Sequence, residues 1–465
     1  MNRSDSILRN ILLLLLFLTP VLVVVLVFQV IPYLRSRFVP CPPSCREADF
    51  QAADLRQADF AKADLSTANL TAANLERANL QGANLFFAQL KDANLKGADL
   101  RGASLRGAFL FNANLSQADL RRADLRGARL RKANLFEADL RATDLEYASL
   151  ERANLRSTLL DETTKINPKW RLVWELVNHG GAGRPLAGSD LRGADLSGTD
   201  FQGADLREAD LRDVDFTAAD LTGADLGGAD LHQALLDDTT KIDGKWWLVW
   251  EIVNQVASER DLVRADLSHA NLSRGYLRRA NLTGADLSGA MLVEADLRGA
   301  DLSEADLSQA DLTEASLRQA NLQGAKLTGT NFSGADLSLV NLSGTVLDEA
   351  TLMPDQWRLV WEIVNHQGAG RDLSAAFLGW AYLAEADLHG ANLEGAFLHG
   401  AILEKADLKG ANLHGADLQG ANLRQANLHS ADLRDVDLRG ADLEEASLEE
   451  ANLQGATLPD GTIHD

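Results

Sequence analysis

Residues Ala63–Leu85 read ADLST ANLTA ANLER ANLQG ANL. Leu recurs at every fifth position, a small residue stands two before it, and Asp or Asn stands between them. From Phe50 onward, every central position of this frame is Leu, Phe or Ile. A period of five suits neither regular element. On an α-helix five residues advance by about 500°, which smears the leucines around all sides. On a strand an odd repeat sends alternate leucines to opposite faces. The frame is satisfied if the chain turns a corner every five residues. The central residue (i) and the small residue (i−2) then point inward, and i−1, i+1 and i+2 point to water. Stacked coils bury a continuous core that one repeat alone cannot. Ala or Ser fits the tight corner, and Gly at i+2, as at Gly82, Gly97 and Gly102, eases the turn.

On these residues the chain resembles the pentapeptide-repeat family, whose pattern is A-[DN]-L-x-x. The resemblance covers about nine-tenths of the sequence. It implies an all-β, right-handed quadrilateral β-helix with four faces and twenty residues per coil, hence a rod of roughly 85 Å at the usual strand spacing.

The blocks run 50–160, 186–236, 262–347 and 373–465, separated by excursions at 161–185, 237–261 and 348–372. Each excursion spans 26 residues from one central Leu to the next, so each shifts the frame by one. The three align as Lys169-Trp170-Arg-Leu-Val-Trp174, Lys245-Trp246-Trp-Leu-Val-Trp250 and Gln356-Trp357-Arg-Leu-Val-Trp361. Trp170, Val173, Trp174 and Val177 follow the stripe of an amphipathic helix, with Asn167-Pro168 and Asp243-Gly244 as N-terminal signals. Three short helices are therefore expected, each packed on the outside of its own β-helix, with a partner or membrane-interface contact through the tryptophans as the sharper reading. Arg184, Arg260 and Arg371 are placed to pair with Glu175, Glu251 and Glu362 and so brace the return to the coil.

Ahead of the repeats, Ile11–Ile31 carries no charge, and its length matches the roughly 20 residues that cross a bilayer. A cleaved signal would have a shorter apolar region ending at small residues. Residues 1–37 are therefore read as a single-pass membrane anchor with the lipid bilayer as partner. Arg3 and Arg9 on one flank and Arg35 and Arg37 on the other barely choose an orientation, with a slight lean to an extracytoplasmic repeat domain. Cys41 and Cys45 in segment 38–49 read either as a small disulfide loop or as free thiols within a cap. The short end Thr457–Asp465 leaves end-to-end association of copies open.

Chemistry is sparse. Of the outward histidines His389, His399, His414 and His429, only His389 and His429 would share a face, two coils or roughly 10 Å apart. There is no phosphate-cradling loop and no nucleophile beside a base, so neither catalysis, cofactor nor metal is expected. The formal net charge of −22 argues against general nucleic-acid binding. Residues 91–132, however, hold ten basic against four acidic side chains. There Arg101, Arg121 and Arg141 would stack beside Asp99, Asp119 and Asp139. That reads as a salt-bridged face, with an anionic surface as the alternative partner. Residues 186–238 hold 13 acidic and 3 basic residues, with Asp at i−1 from Asp190 to Asp230. In the resembled family one branch binds DNA gyrase as a DNA mimic, which makes that the second functional reading. Last, Phe377 and Phe397, and Tyr382 and Ile402, stand twenty apart at i−1 beside Trp380. These are expected to receive the third helix with Trp357 and Trp361, or else to form a docking patch for another protein. The favoured function is a non-enzymatic, membrane-tethered scaffold or interaction rod with an unidentified protein partner.

Overall fold

The computed structural model describes residues 44–255, 257–366 and 368–465. The apolar stretch Ile11–Ile31 and Cys41 lie outside these, and among the described residues no helix is long and apolar enough to cross a membrane. Within them the chain winds as a coil of twenty residues. Parallel bridges join each i−1 residue to the one twenty further on, Asp49 to Asn69 and Asn69 to Gln89, through the first block. A central residue every five thus gives four faces per coil. Leu65 through Leu140 are each fully buried, with the i−2 alanines beneath them. Cys45 occupies a central position too, one repeat earlier than Phe50; it is 3% exposed and disulfide-bonded.

The corner explains the rest of the repeat. The N–H of each i−2 residue donates back across the turn to the preceding central carbonyl, as Ala68 does to Leu65 at 3.1 Å. The i+2 residue takes positive φ whether it is Gly82 (63°) or Arg77 (55°), as the second central residue of such a turn requires. Asp or Asn at i−1 accepts the N–H of i+1, as Asp64 does from Ser66 at 3.1 Å. This residue is therefore a turn-former as well as a solvent-facing group.

The excursions form α1 (Pro168–His179), α2 (Gly244–Asn254) and α3 (Asp355–Asn365). They do not lie on the outside of a finished face. Trp170, Val173 and Leu176 enter the core, and Trp174 is half-buried with its indole N–H donating to the Thr158 carbonyl at 2.9 Å. Trp250 and Trp361 make the same bond to Ala234 and Thr345. In the last turn of α1, the Asn178 amide donates to the Leu155 carbonyl and its side-chain oxygen accepts the Ser157 N–H. Lys169 meanwhile pairs with Asp190 of the following coil at 2.7 Å. Each helix thus stands in for two faces of one coil, held between the stack before and the stack after. A 12-residue helix with three large apolar residues needs cover on more than one side, and a single flat face does not supply it.

At one corner the flanking coils meet directly. Arg152 N–H donates to the Gly193 carbonyl, 41 residues on, and the same bond recurs from Gly228 to His269 and from Leu339 to Trp380. Each helix is therefore a wedge, present on one side of the stack and absent on the other. From Gly193 to Gly228 is one and three-quarter coils, and from His269 to Leu339 three and a half. Successive wedges therefore open toward different sides.

The braces form as ion pairs, Arg184–Glu175 at 3.1 Å, Arg260–Glu251 at 2.5 Å and Arg371–Glu362 at 2.9 Å. The extra residue of each excursion is absorbed where Asp144 pairs with Lys165, Asp220 with Lys241 and Asn331 with Leu352, all 21 apart. At the other terminus the frame fails by one step. Ile463 is 67% exposed, because Thr457 and Ile463 form an antiparallel bridge that turns the chain back.

Candidate interaction surfaces

The arginine ladder is a closed set of brackets. Arg101 holds Asp99 through both Nε and Nη2 (2.8 and 2.6 Å), and its Nε lies 3.6 Å from Asp119 of the next coil. Arg121 repeats this with Asp119 and Asp139, and Arg141 holds Asp139. These bidentate guanidinium bonds hold the Asp99 and Asp139 carboxyls below the usual carboxylate range. The same bracket recurs in the acidic block, where Arg207 holds Asp205 and pulls its carboxyl down to about 2. Asp220 is also held low, by Thr222 first and then by Lys241 and Gln202. The regular carboxylates of this block are thus largely engaged by their own scaffold.

Histidine takes the arginine slot at two places. His232 Nδ1 lies 2.6 Å from Asp230 and His389 Nδ1 2.6 Å from Asp387. Asp387, His389 and Asp407 bring ligand atoms within 4.8 Å of one another at the surface, a trio the reading of histidines alone did not reveal. It is the same Asp-X-X bracket with imidazole in place of guanidinium. Two clefts flank the second wedge. One is lined by Arg207, Glu208 and His269, the other by Arg192, Arg212, His232 and Tyr276, with Arg212 taken by Asp210 and Asp230.

The aromatic ladder of the last block is open. Phe377 and Phe397 stack face to face with centroids 4.9 Å apart and planes 6° from parallel, at 67% and 45% exposure. The third helix does not cover them. Trp357 turns into the core and Trp361 lies half-buried against the Thr345 carbonyl, because α3 is spent on bridging the stack below it. Trp380, 42% exposed, sits at the corner where the coils meet, between the Arg318 guanidinium (5.4 Å) and the His399 ring. Its ring lies where a Cβ on Gly400 would fall, 2.6 Å from the indole, so that glycine makes its seat. Tyr382 and Ile402 are half-buried on the adjacent face, and burial, with Glu385 and Glu404 nearby, pushes the Tyr382 hydroxyl up.

Two further features escaped the sequence reading. Asp161, Asp237 and Asp348 open each excursion by accepting several turn N–H and hydroxyl donors, Thr163 chief among them for Asp161, whose carboxyl falls to about 2. Thr164, Thr240 and Thr351 are buried and donate to carbonyls 24 residues back. The signal was present as the recurrent Asp-x-x-Thr before each tryptophan helix. The second is an aromatic corner in the first block, at Phe86, Phe87 and Phe109.

Twenty-residue coils, inward leucines and turn-forming Asp or Asn agree with the comparisons to known proteins. The chain belongs to the pentapeptide repeat family: the model for pentapeptide repeats matches from residues 48–85 through 426–460 and leaves out all three helices. The fold of that family is the right-handed quadrilateral β-helix. Among solved structures, the chain is similar to HetL, a pentapeptide repeat protein involved in heterocyst differentiation regulation from the cyanobacterium Nostoc sp. strain PCC 7120. The identity is 26% over 81% of this chain and 92% of that one, with a TM-score of 0.13. A pentapeptide repeat protein of the Arabidopsis thaliana thylakoid lumen is 27% identical over 27% of this chain and 77% of its own, with a TM-score of 0.15. QnrB1, a plasmid-mediated fluoroquinolone resistance protein, is 22% identical over 42% and 87%, with a TM-score of 0.17. No curated protein matches.

Proposed function

We propose that this chain is a non-enzymatic rod, tethered to a membrane by Ile11–Ile31, that presents a docking surface to another protein at Phe377, Trp380, Tyr382, Phe397 and Ile402. The observation that carries the reading is the stacked, exposed Phe377–Phe397 pair beside Trp380. From Asp407 to the end of the last block the i−1 positions are nearly all Asp or Asn, so adjoining exposed aromatics at the start of that block form the kind of patch that partners cover. The test is a photo-crosslinking side chain placed at Phe377 or Phe397 in cells, with Ser308 as control. A discrete adduct at the two phenylalanines that disappears with Trp380→Ala supports the reading; adducts equal to those at Ser308 sink it. Tethering is tested separately, by loss of membrane co-sedimentation when residues 11–31 are deleted.

A topoisomerase-binding DNA mimic is the second reading, on the strength of Asp190 to Asp230 stacked in parallel bridges. The brackets at Asp205, Asp210 and Asp220 weigh against it. Absence of any effect in a gyrase supercoiling assay with the purified chain would remove it.

A further inference from the structure

The basic stretch of the first block contains two kinds of arginine, and only one kind is closed onto a carboxylate. Arg101, Arg121, Arg126 and Arg141 are closed into brackets. Arg106, Arg129 and Arg131 are exposed, and among the described residues none has a carboxylate within 4 Å. By register Arg106 stands twenty residues on from Phe86 at one corner, Arg129 twenty on from Phe109 on the adjoining face, and Arg131 at the corner beyond, so the three border a patch that carries aromatics. Phe86 and Phe87 are 38% and 44% exposed with ring centroids 4.5 Å apart; Phe87 is 6.3 Å from Phe109, and the Arg129 guanidinium lies 4.6 Å from the Phe109 ring. A Cβ on Gly107 would fall 2.8 Å from the Phe87 ring. That glycine therefore lets the ring lie along the surface of the next coil.

We infer that this corner rests on anionic lipid headgroups and lays the first block down along the bilayer. Exposed phenylalanines interleaved with guanidinium groups that are not closed into salt bridges are the composition of an interfacial contact, rings at the acyl boundary and cations at the phosphates. Position on the chain favours lipid over an acidic protein. Twelve residues separate Ile31 from Ser44, a reach of up to about 40 Å when extended. The corner begins two coils above Ser44 and ends within about five, roughly 10–25 Å up the rod. The inference rests on the tethering proposed above and adds to it the orientation of the rod.

The test uses the full chain in nanodiscs of phosphatidylcholine, alone or mixed with phosphatidylserine, and arginine-directed footprinting by phenylglyoxal read by mass spectrometry. Arg106, Arg129 and Arg131 are expected to react several-fold more slowly in the anionic discs than in the neutral ones. High salt reverses that protection. Phe86→Ser with Phe87→Ser, both at the surface, removes it while Arg101 and Arg121 react as before. Equal reactivity in the two lipids, with the chain comigrating with the discs, overturns the inference and leaves the tether standing. A chain that fails to comigrate overturns both. Protection that follows protein concentration rather than lipid charge assigns the corner to an acidic region of a second copy, and overturns the inference as well.

Discussion

The first and last blocks each expose an aromatic corner built on the same seat and rimmed by opposite charge. In both, a glycine twenty residues on leaves room for a ring to lie along the coil, Gly107 for Phe87 and Gly400 for Trp380. In both, a guanidinium stacks on an aromatic face, Arg129 on Phe109 and Arg318 on Trp380. Beside the first lie Arg106 and Arg131; Glu385 and Glu404 lie near Tyr382 on the face adjoining the second, and residues 373–465 hold 16 acidic against 5 basic side chains. The core beneath is the same at both places, so the difference is wholly an outer-surface one. A solenoid whose inside is fixed by packing can vary its i−1, i+1 and i+2 positions nearly freely. One rod can therefore offer a basic corner in its first block and an acidic one in its last.

The comparison is broken most severely if the two cores differ. Leu110→Ala beneath the first corner and Leu398→Ala beneath the second are both fully buried substitutions, expected to cost about 2–5 kcal/mol each in denaturant unfolding. A cost near zero at either would mean that coil is not packed as described. Next come the seats. Gly107→Ala and Gly400→Ala each place a Cβ under 3.0 Å from a ring at positive φ, with an expected loss of about 1 kcal/mol or more. Displacement of Phe87 or Trp380, read as increased solvent access, checks the cause; unchanged rings and stability would refute the seat.

Acid sharpens the picture of the scaffold between them. The folded carboxyls of Asp161 and Asp205 sit at about 2, below their ordinary value near 4. A depressed carboxyl adds stability above its unfolded pKa and loses it as pH falls through the folded one. The thermal midpoint is accordingly expected to fall between about pH 4 and pH 2, and less steeply in Asp161→Asn. A midpoint flat through that window would show that these bonds contribute nothing. Smallest of all, Phe86→Ser and Phe377→Ser are expected to leave stability within about 0.5 kcal/mol, since both are surface changes. A larger loss at either would mark that ring as structural rather than presented.

Much of this was legible in the residues. The five-residue step, the buried leucines and the three tryptophan helices follow from periodicity, and the Arg–Glu braces follow from register. The site was less legible. The salt-bridged face of Arg101, Arg121 and Arg141 was readable from register, whereas the bidentate hold on the Asp two residues back, and the reach of Arg101 and Arg121 to the Asp of the next coil, needed the side-chain geometry. Phe377 and Phe397 were readily paired by their spacing. The helix expected to cover them is taken up elsewhere, because its buried stripe of Trp357, Val360 and Ile363 faces the stack it bridges.

By itself the sequence determined that one aliphatic side chain is hidden at every fifth step, since no straight helix or flat strand can bury that pattern. Only the tertiary structure decided which outer groups remain free. Residues twenty and 41 apart become neighbours through coiling and wedging, and whether a charge or a ring is engaged depends on those neighbours rather than on the repeat that carries it.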